Sequence, residues 1–329
     1  MAQALILHQN EKEINVEFSD LDQSALPAED VLVEVSYSSL NYKDALAVTG
    51  KGRIVRGEFP FVPGIDLVGR VVSSKDPAFK EGDKVIGNGW GLGEAHWGGY
   101  AQMACVKSKS LIHLPEGMDE KHAMALGTAG FTAMLSIMML EEHDVTPEKG
   151  EVVVTGATGG VGSIGIVLLS RLGYDVVASS GKVHAHAYLK ELGSSRIIGR
   201  EVLGDGPRRA LDKGLWAGAI DNVGGPALAA LLSQMGRHGA VASCGLAHKA
   251  EFDATVYPFI LRGVALLGID TSTCKHERRI AVWDRLTKDM PRDVLDDLST
   301  IIGLRDVLPT SNKMMDSNIQ GRFIVDVNA

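Results

Sequence analysis

A chain of 329 residues, 45% hydrophobic and 22% charged, carries enough material for a large core and would ordinarily divide into two domains. Its 38 glycines imply many turns and an α/β architecture, and a formal net charge of −8 with no run of five or more basic residues argues against nucleic acid as a partner. The opening MAQALILHQNEKEI lacks the basic flank and the longer apolar core of a secretory signal, and no window of about 18 apolar residues is read as a bilayer span, so a cytoplasmic protein with no membrane partner is expected. Cys105, Cys244 and Cys274 are too few and too scattered for a disulfide framework or a Cys-x-x-Cys metal site. They read as free thiols, and Cys244, beside an expected cofactor strand, is the one best placed to be reactive.

Up to about residue 124 the chain shows short strand-like runs bounded by turn residues: Ala4 to Leu7, Val31 to Val35, Leu67 to Val72, Lys84 to Gly87 and Ala101 to Val106. Strands at this density predict an irregular, mainly β domain built as a partly open barrel. Gly64-Ile65-Asp66 and Glu81-Gly82-Asp83 read as turns leading into strands. From Lys121 the pattern changes to helix, with Ala123 to Leu126 and then Thr128 to Leu140. His96, His122 and His143 have no convincing ligand spacing and read as packing or surface residues.

The rest of the chain is organised around residues 151–165, EVVVTGATGGVGSIG. Val152 to Thr155 is the apolar, β-branched run of a buried parallel strand, a glycine-rich turn follows, and Ile164, Val167, Leu168, Leu169 and Leu172 recur at helical spacing. Strand, tight turn and helix in this order make a phosphate site: glycines let backbone N–H groups approach a pyrophosphate, and the helix N-terminus brings a positive dipole end to it. The fingerprint runs Ala157-x-Gly159-x-x-Gly162, with alanine in place of the first glycine. Thr158, Gly159, Gly160 and Val161 are the candidate cofactor-binding residues of this turn. A second strand, Asp175 to Ser179, follows at the distance of a dinucleotide fold. The alternative is a glycine-rich strand–helix joint with no ligand.

The end of that second strand selects the cofactor. A carboxylate there would accept hydrogen bonds from the adenosine ribose 2′-hydroxyl and repel a 2′-phosphate. The chain reads Ser179-Ser180-Gly181-Lys182 instead, and Arg196, just after the helix His184 to Leu192, offers a second positive charge. Ser180, Lys182 and Arg196 therefore favour NADPH over NADH; otherwise the two cations are solvated surface charges. Strands at Trp216 to Asp221, Ala240 to Cys244 and Val264 to Asp270, with a helix over Ala227 to Met235, continue a doubly wound parallel sheet. Ligands lie beyond the carboxyl ends of such strands, which puts Asn222, Gly245, Leu246 and Asp270 in the cofactor groove. A helix at roughly Glu277 to Asp289 and a last strand, Gly321 to Val327, complete the chain.

Ser38-Ser39-Leu40-Asn41-Tyr42-Lys43-Asp44-Ala45, Pro63-Gly64-Ile65-Asp66-Leu67-Val68-Gly69 and the 151–165 stretch, in this order and spacing, closely resemble the medium-chain dehydrogenase/reductases, in their zinc-free quinone oxidoreductase branch. LNYKDALAVTGKG (40–52), HWGGYAQ (96–102), GTAGFTAM (127–134), WAGAIDNVGG (216–225) and NIQGR (318–322) are similar, more narrowly, to the NADPH-dependent acrylyl-CoA reductase group. The resemblance covers essentially the whole chain. It implies a GroES-like catalytic domain of residues 1–124 plus 271–329, a Rossmann dinucleotide-binding domain of residues 125–270, and a homodimer through the edge of the latter. Zinc-dependent relatives carry glycine-histidine-glutamate where this chain has Gly64-Ile65-Asp66, and a cysteine where it has Leu40-Asn41. Isoleucine cannot ligate a metal, so no metal site is expected. The resemblance also sets Pro258 to Arg262 beside the nicotinamide, with core packing as the alternative for Phe259 and Ile260. Asn318 and Arg322 fall where the chain returns to the first domain, and Arg322 reaches the cofactor phosphates or the substrate unless it is a surface residue.

The implied reaction is hydride addition from C4 of NADPH to the β-carbon of an enoyl thioester, acrylyl-CoA in this group, with charge developing on the thioester oxygen and a proton added at the α-carbon. Fixed donors must orient the carbons and stabilise the oxyanion. Asn41, Tyr42 and Asp44 are the candidate catalytic residues. Tyr42, with a pKa of about 10, stays protonated and suits an oxyanion donor, a proton source or a contact to the nicotinamide amide. Asp44 alternatively caps the helix that starts there. Lys51, Arg53 and Arg56 offer a basic rim for the phosphates of CoA. The other readings are reduction of quinones or small enals by NADPH, and an NADPH-binding protein without turnover.

Overall fold

Alternation of side chains pairs the first two strands. β1 (Ala2–Asn10) buries Ala4 to Leu7, and antiparallel β2 (Glu13–Leu21) turns Ile14, Val16 and Phe18 toward the same core while Glu13, Asn15 and Glu17 face solvent. The computed structural model describes residues 2–11, 13–204, 206–207, 209–317 and 319–329, so Asn318 lies outside the described residues. The chain continues through β3 (Val31–Leu40), α1 (Tyr42–Val48), β4 (Asp66–Ser74), β5 (Lys84–Asn88), β6 (Met103–Val106), β7 (Leu111–His113) and α2 (Glu120–Glu142). Next come β8 (Val152–Val154), α3 (Gly160–Arg171), β9 (Val176–Ser179), α4 (His186–Glu191), β10 (Arg196–Ile198), β11 (Trp216–Asp221), α5 (Gly225–Gln234), β12 (Met235–Ser243), α6 (Tyr257–Arg262) and β13 (Ala265–Gly268). The last elements are α7 (His276–Asp289), α8 (Arg292–Leu298), β14 (Ser299–Gly303), α9 (Val307–Met315) and β15 (Arg322–Asp326).

These elements form two units, Met1–Thr128 with Thr271–Ala329, and Ala129–Asp270. In the first, a sheet in the order β14-β15-β3-β4-β5-β7, with β6 also on β3, is antiparallel except for β14 with β15. The β1–β2 hairpin joins it through single bridges, Ala4 to Ala101 and Leu7 to Phe61. Its core runs from Leu5 and Leu7 through Val33, Leu67 and Tyr100 to Val325.

The second unit is one parallel sheet in the order β10-β9-β8-β11-β12-β13. Counted from β8 this is 3-2-1-4-5-6, the doubly wound dinucleotide-binding order, and it reverses between β8 and β11. Val152, Val153 and Val154 are fully buried, as a central parallel strand with both faces covered requires.

The expectation that no segment has the length and apolarity of a bilayer span needs correction. α2 meets both criteria, but 83% of its apolar window is buried inside the protein, and its backbone leaves helical geometry at Gly127. Such a helix is hydrophobic on all sides because it is enclosed on all sides.

Candidate active site

In the first unit the segment Ser39-Leu40-Asn41-Tyr42-Lys43-Asp44 carries the end of β3 into α1. Asn41 is extended and precedes the helix, and Asp44, three residues on, returns Oδ2 to the Asn41 N–H at 2.9 Å, a capping-box bond. Asp44 Oδ1 accepts from the Ile65 N–H at 2.9 Å. Asp66, at the start of β4, accepts through Oδ2 from Ser39 Oγ (2.5 Å), Asn41 Nδ2 (2.8 Å) and the Thr128 N–H (2.8 Å), and through Oδ1 from Thr128 Oγ1 (2.5 Å). Arg322, at the start of β15, donates from Nε to the Ala125 carbonyl (2.7 Å) and from Nη1 to Asn41 Oδ1 (3.2 Å). Its Nη2 is buried with no hydrogen-bond partner among the described residues. Tyr100 donates its hydroxyl to the Ser39 carbonyl at 3.1 Å.

Burial and neighbouring charge act on three groups here, Asp44, Arg322 and Tyr100. Burial, and after it the Asp66 charge, pushes Asp44 up to about 7. Burial lowers Arg322 against the opposing pull of Asp66 and Asp44, and burial together with both carboxylates holds Tyr100 well above its ordinary value, as a neutral donor. Gly127 makes the approach of α2 sterically feasible. Its φ is +49°, and a Cβ there would stand 2.6 Å from Asp66 Oδ2 and 2.8 Å from Ser39 Oγ.

Three expectations change on this geometry. Asn41 is 8% exposed with its amide committed to Ser39, Asp44, Asp66 and Arg322, so it organises the network and has no donor to offer a substrate oxygen. Asp44 is 1% exposed and holds two backbone N–H groups, the capping role rather than a catalytic one. Arg322 is 3% exposed and belongs to the same network, which rules out a surface role. Tyr42, the first residue of α1, is 44% exposed, and its hydroxyl makes no hydrogen bond among the described residues. It is the expected catalytic residue that keeps a donor to give. Of the expected basic rim of Lys51, Arg53 and Arg56, Arg56 pairs with Glu94 at 2.8 Å, and Glu94 also takes Lys43 at 2.8 Å. Asp66, Ser39, Thr128 and Tyr100 were not singled out as site residues, because nothing local in the sequence tells a buried network from turn chemistry.

In the second unit the glycine-rich turn joins β8 to α3. Gly159 precedes α3 with no side-chain cap, which leaves the first-turn N–H groups without a side-chain acceptor. Gly162 packs the helix onto the turn so closely that a Cβ would meet the Gly156 carbonyl oxygen at 2.4 Å. Thr158 is 8% exposed, Gly159 is exposed, and Gly160 and Val161 are half-buried at the helix start. A turn of this shape fits a dinucleotide pyrophosphate. Beyond β9, Ser180 Oγ accepts from the Lys182 N–H at 3.1 Å. Asn222, Gly245, Leu246 and Asp270 follow the carboxyl ends of β11, β12 and β13.

Two expected positions differ. Arg196 opens β10 and is exposed; it grips Glu151 through three contacts of 2.6–2.9 Å and lies over the Trp216 ring. The cation beside Gly181 is instead Arg200, just past the carboxyl end of β10, whose side chain a Cβ on Gly181 would touch at 3.0 Å. Burial, and then Arg200, lowers the Lys182 ammonium, so the two cations sit close together. Ile260 is 68% exposed on α6, whereas Phe259 packs against the core, so core packing holds for Phe259 alone.

The sequence matches the alcohol dehydrogenase GroES-like domain over residues 27–116 and the zinc-binding dehydrogenase family over residues 160–288. It is 49% identical to the probable acrylyl-CoA reductase AcuI of Escherichia coli (strain K12), over 99% of this chain and 100% of that one. It is 47% identical to the putative quinone oxidoreductase YhfP of Bacillus subtilis (strain 168), over 98% of each. The crystal structure of the yhdH oxidoreductase from Salmonella enterica in complex with NADP superposes with a TM-score of 0.96, at 49% identity and 99% coverage of both chains. On this full-length likeness the chain belongs to the medium-chain dehydrogenase/reductase family, in the branch its acrylyl-CoA reductase and quinone oxidoreductase relatives occupy.

Proposed function

We propose that the protein reduces the carbon–carbon double bond of acrylyl-CoA with NADPH and releases propionyl-CoA. The observation that carries this reading is the full-length 49% identity to a probable acrylyl-CoA reductase, joined to a structure in complex with NADP at a TM-score of 0.96. The dinucleotide site of the second unit agrees in chemistry: a helix N-terminus without a side-chain cap for the pyrophosphate, and Ser180, Lys182 and Arg200 for a 2′-phosphate, the end of β9 reading Ser179-Ser180-Gly181-Lys182 with no acid in that sequence.

NADPH supplies the hydride that adds at the β-carbon of the thioester. The Tyr42 hydroxyl donates to the thioester oxygen as negative charge develops there, and solvent completes the reduction at the α-carbon. Asp44 and Asn41 hold the first turn of α1, and with it Tyr42, against the Asp66–Arg322 network. The reaction needs no metal in this reading. Ile65 has no ligating atom, and both oxygens of Asp66 are taken by Ser39, Asn41 and Thr128. The exposed apolar residues Ile260 and Leu261 on α6 and Leu266 on the edge strand β13 support a homodimer through that edge.

A second reading, reduction of a quinone at the same site, is favoured by the 47% identity to a putative quinone oxidoreductase. Steady-state oxidation of NADPH with acrylyl-CoA, crotonyl-CoA and a benzoquinone in parallel separates the two. A kcat/KM for acrylyl-CoA at least about a hundredfold above the quinone, some 3 kcal/mol of transition-state preference, supports the first reading, and the reverse order supports the second.

A further inference from the structure

Strand order in the second unit reverses between β8 and β11, and an open α/β sheet binds its ligand at that reversal, beyond the carboxyl ends of the strands. Thr155 and Asn222 are the first residues past those two strands, and one hydroxyl joins them. Thr155 Oγ1, in a residue 2% exposed, donates to Asp221 Oδ1 at 2.7 Å and accepts from the Asn222 N–H at 2.9 Å. The Thr155 carbonyl also accepts from Asn222 Nδ2 at 2.7 Å. From the other side, the Cys244 thiol lies within donor reach of Asn222 Oδ1 at 3.2 Å and of the Asp221 carbonyl at 3.3 Å. The Asn222 amide is thus oriented at both ends, nitrogen toward β8 and oxygen toward β12.

Asp221 is fully buried, and its partners are hydroxyl and amide hydrogens rather than a cation: Thr155, the Val223 N–H at 3.3 Å and the Gly224 N–H at 3.0 Å. A carboxylate kept in such a place is expensive unless each oxygen is satisfied. Without the Thr155 hydroxyl, Asp221 loses its shortest bond and the Asn222 N–H loses its acceptor in the same step. The turn at residues 221–224 must then shift to recover them.

We propose that Thr155 is the positioning residue of the dinucleotide site: its hydroxyl, relaying between Asp221 and the Asn222 backbone, fixes the Asn222 amide and the start of the glycine turn in the geometry that NADPH requires. This rests on the reading that NADPH occupies the carboxyl ends of these strands. Thr155 does not itself act on the cofactor; it acts through Asn222.

Valine has the shape of threonine without the hydroxyl, so Thr155→Val tests the relay with little change in volume. NADPH binding to the full-length protein is followed by fluorescence titration, alongside steady-state kinetics and thermal unfolding. Thr155→Val is expected to raise both the Kd and the KM for NADPH about tenfold while kcat at saturating NADPH stays within about twofold, and Thr155→Ser is expected to restore both. Wild-type affinity in Thr155→Val, or equal weakness in the serine and valine variants, overturns the proposal. Should Thr155→Val not fold, Thr155→Ser carries the test: it keeps the hydroxyl and loses only the methyl group, so a Kd and KM for NADPH within about twofold of wild type support the relay, and a rise of about tenfold in both overturns it. A wild-type protein that binds no NADPH overturns the underlying functional reading instead, and is recognised before any variant is compared.

Discussion

Asp44 and Asp66 share one amide: Asn41 Nδ2 donates to Asp66 Oδ2 at 2.8 Å and to Asp44 Oδ2 at 3.1 Å, in a pocket where both acids are at most 1% exposed. Burial, and then the Asp66 charge, push the Asp44 carboxyl up to about 7. A raised folded-state value means that the folded chain holds a proton on Asp44 at pH values where the unfolded chain has released it. The cost of burying the charge is therefore absent near pH 4, grows as pH rises, and is complete above about pH 7. Its ceiling is on the order of 4 kcal/mol. Denaturation midpoints between about pH 5 and pH 8 should show the advantage of wild type over Asp44→Asn shrinking as pH rises; an advantage constant across that range contradicts the account.

The Tyr42 hydroxyl is the accessible donor beside that network. Tyr42→Phe should lower kcat about a hundredfold with the Kd for NADPH unchanged, the loss typical of one oxyanion donor. A weaker Kd with normal kcat would instead assign the hydroxyl to the nicotinamide amide.

Discrimination between the cofactors should follow Lys182 and Arg200. Replacing either with alanine should weaken NADPH about tenfold and leave NADH unchanged, because each supplies a charge-assisted bond only to the 2′-phosphate. Arg196→Ala should leave both cofactors unchanged, since Glu151 already holds that guanidinium. Equal loss of both cofactors in the Lys182 variant would remove the 2′-phosphate role.

Gly162→Ala places a methyl group 2.4 Å from the Gly156 carbonyl oxygen. Backbone must yield, and a loss of about 1–3 kcal/mol in stability is expected, with weakened NADPH binding. Thermal unfolding without cofactor measures the first effect and titration the second; a variant matching wild type in both would contradict the tight packing of α3 on the turn.

The dinucleotide unit was legible in the sequence because its signals are local. Val152 to Val154, Val176 to Ser179 and Trp216 to Asp221 are short buried runs, and the glycines lie in one turn. The difference there is a matter of strand direction: Arg196 is the first of the three residues of β10, and Arg200 follows its carboxyl end. In the first unit Tyr42 stood out, but the network behind it did not, because Asp66, Thr128 and Arg322 meet only through tertiary folding. β2 was overlooked although Ile14, Val16 and Phe18 alternate, its apolar side chains being spaced between charges and an amide. α9, with Pro309 in its first turn and Thr310, Ser311 and Asn312 after it, reads locally as a loop and is helical because Val307 and Leu308 pack on the core.

In the proposed reaction hydride passes from NADPH to the β-carbon of acrylyl-CoA. The most direct measurement is reduction of acrylyl-CoA with NADPH deuterated at C4 on the transferred face, identified by running both C4 epimers, followed by mass and NMR analysis of the product. The expected product is propionyl-CoA with one deuterium, on the methyl carbon. Deuterium at the α-carbon, or no propionyl-CoA while a quinone consumes the label, would contradict it.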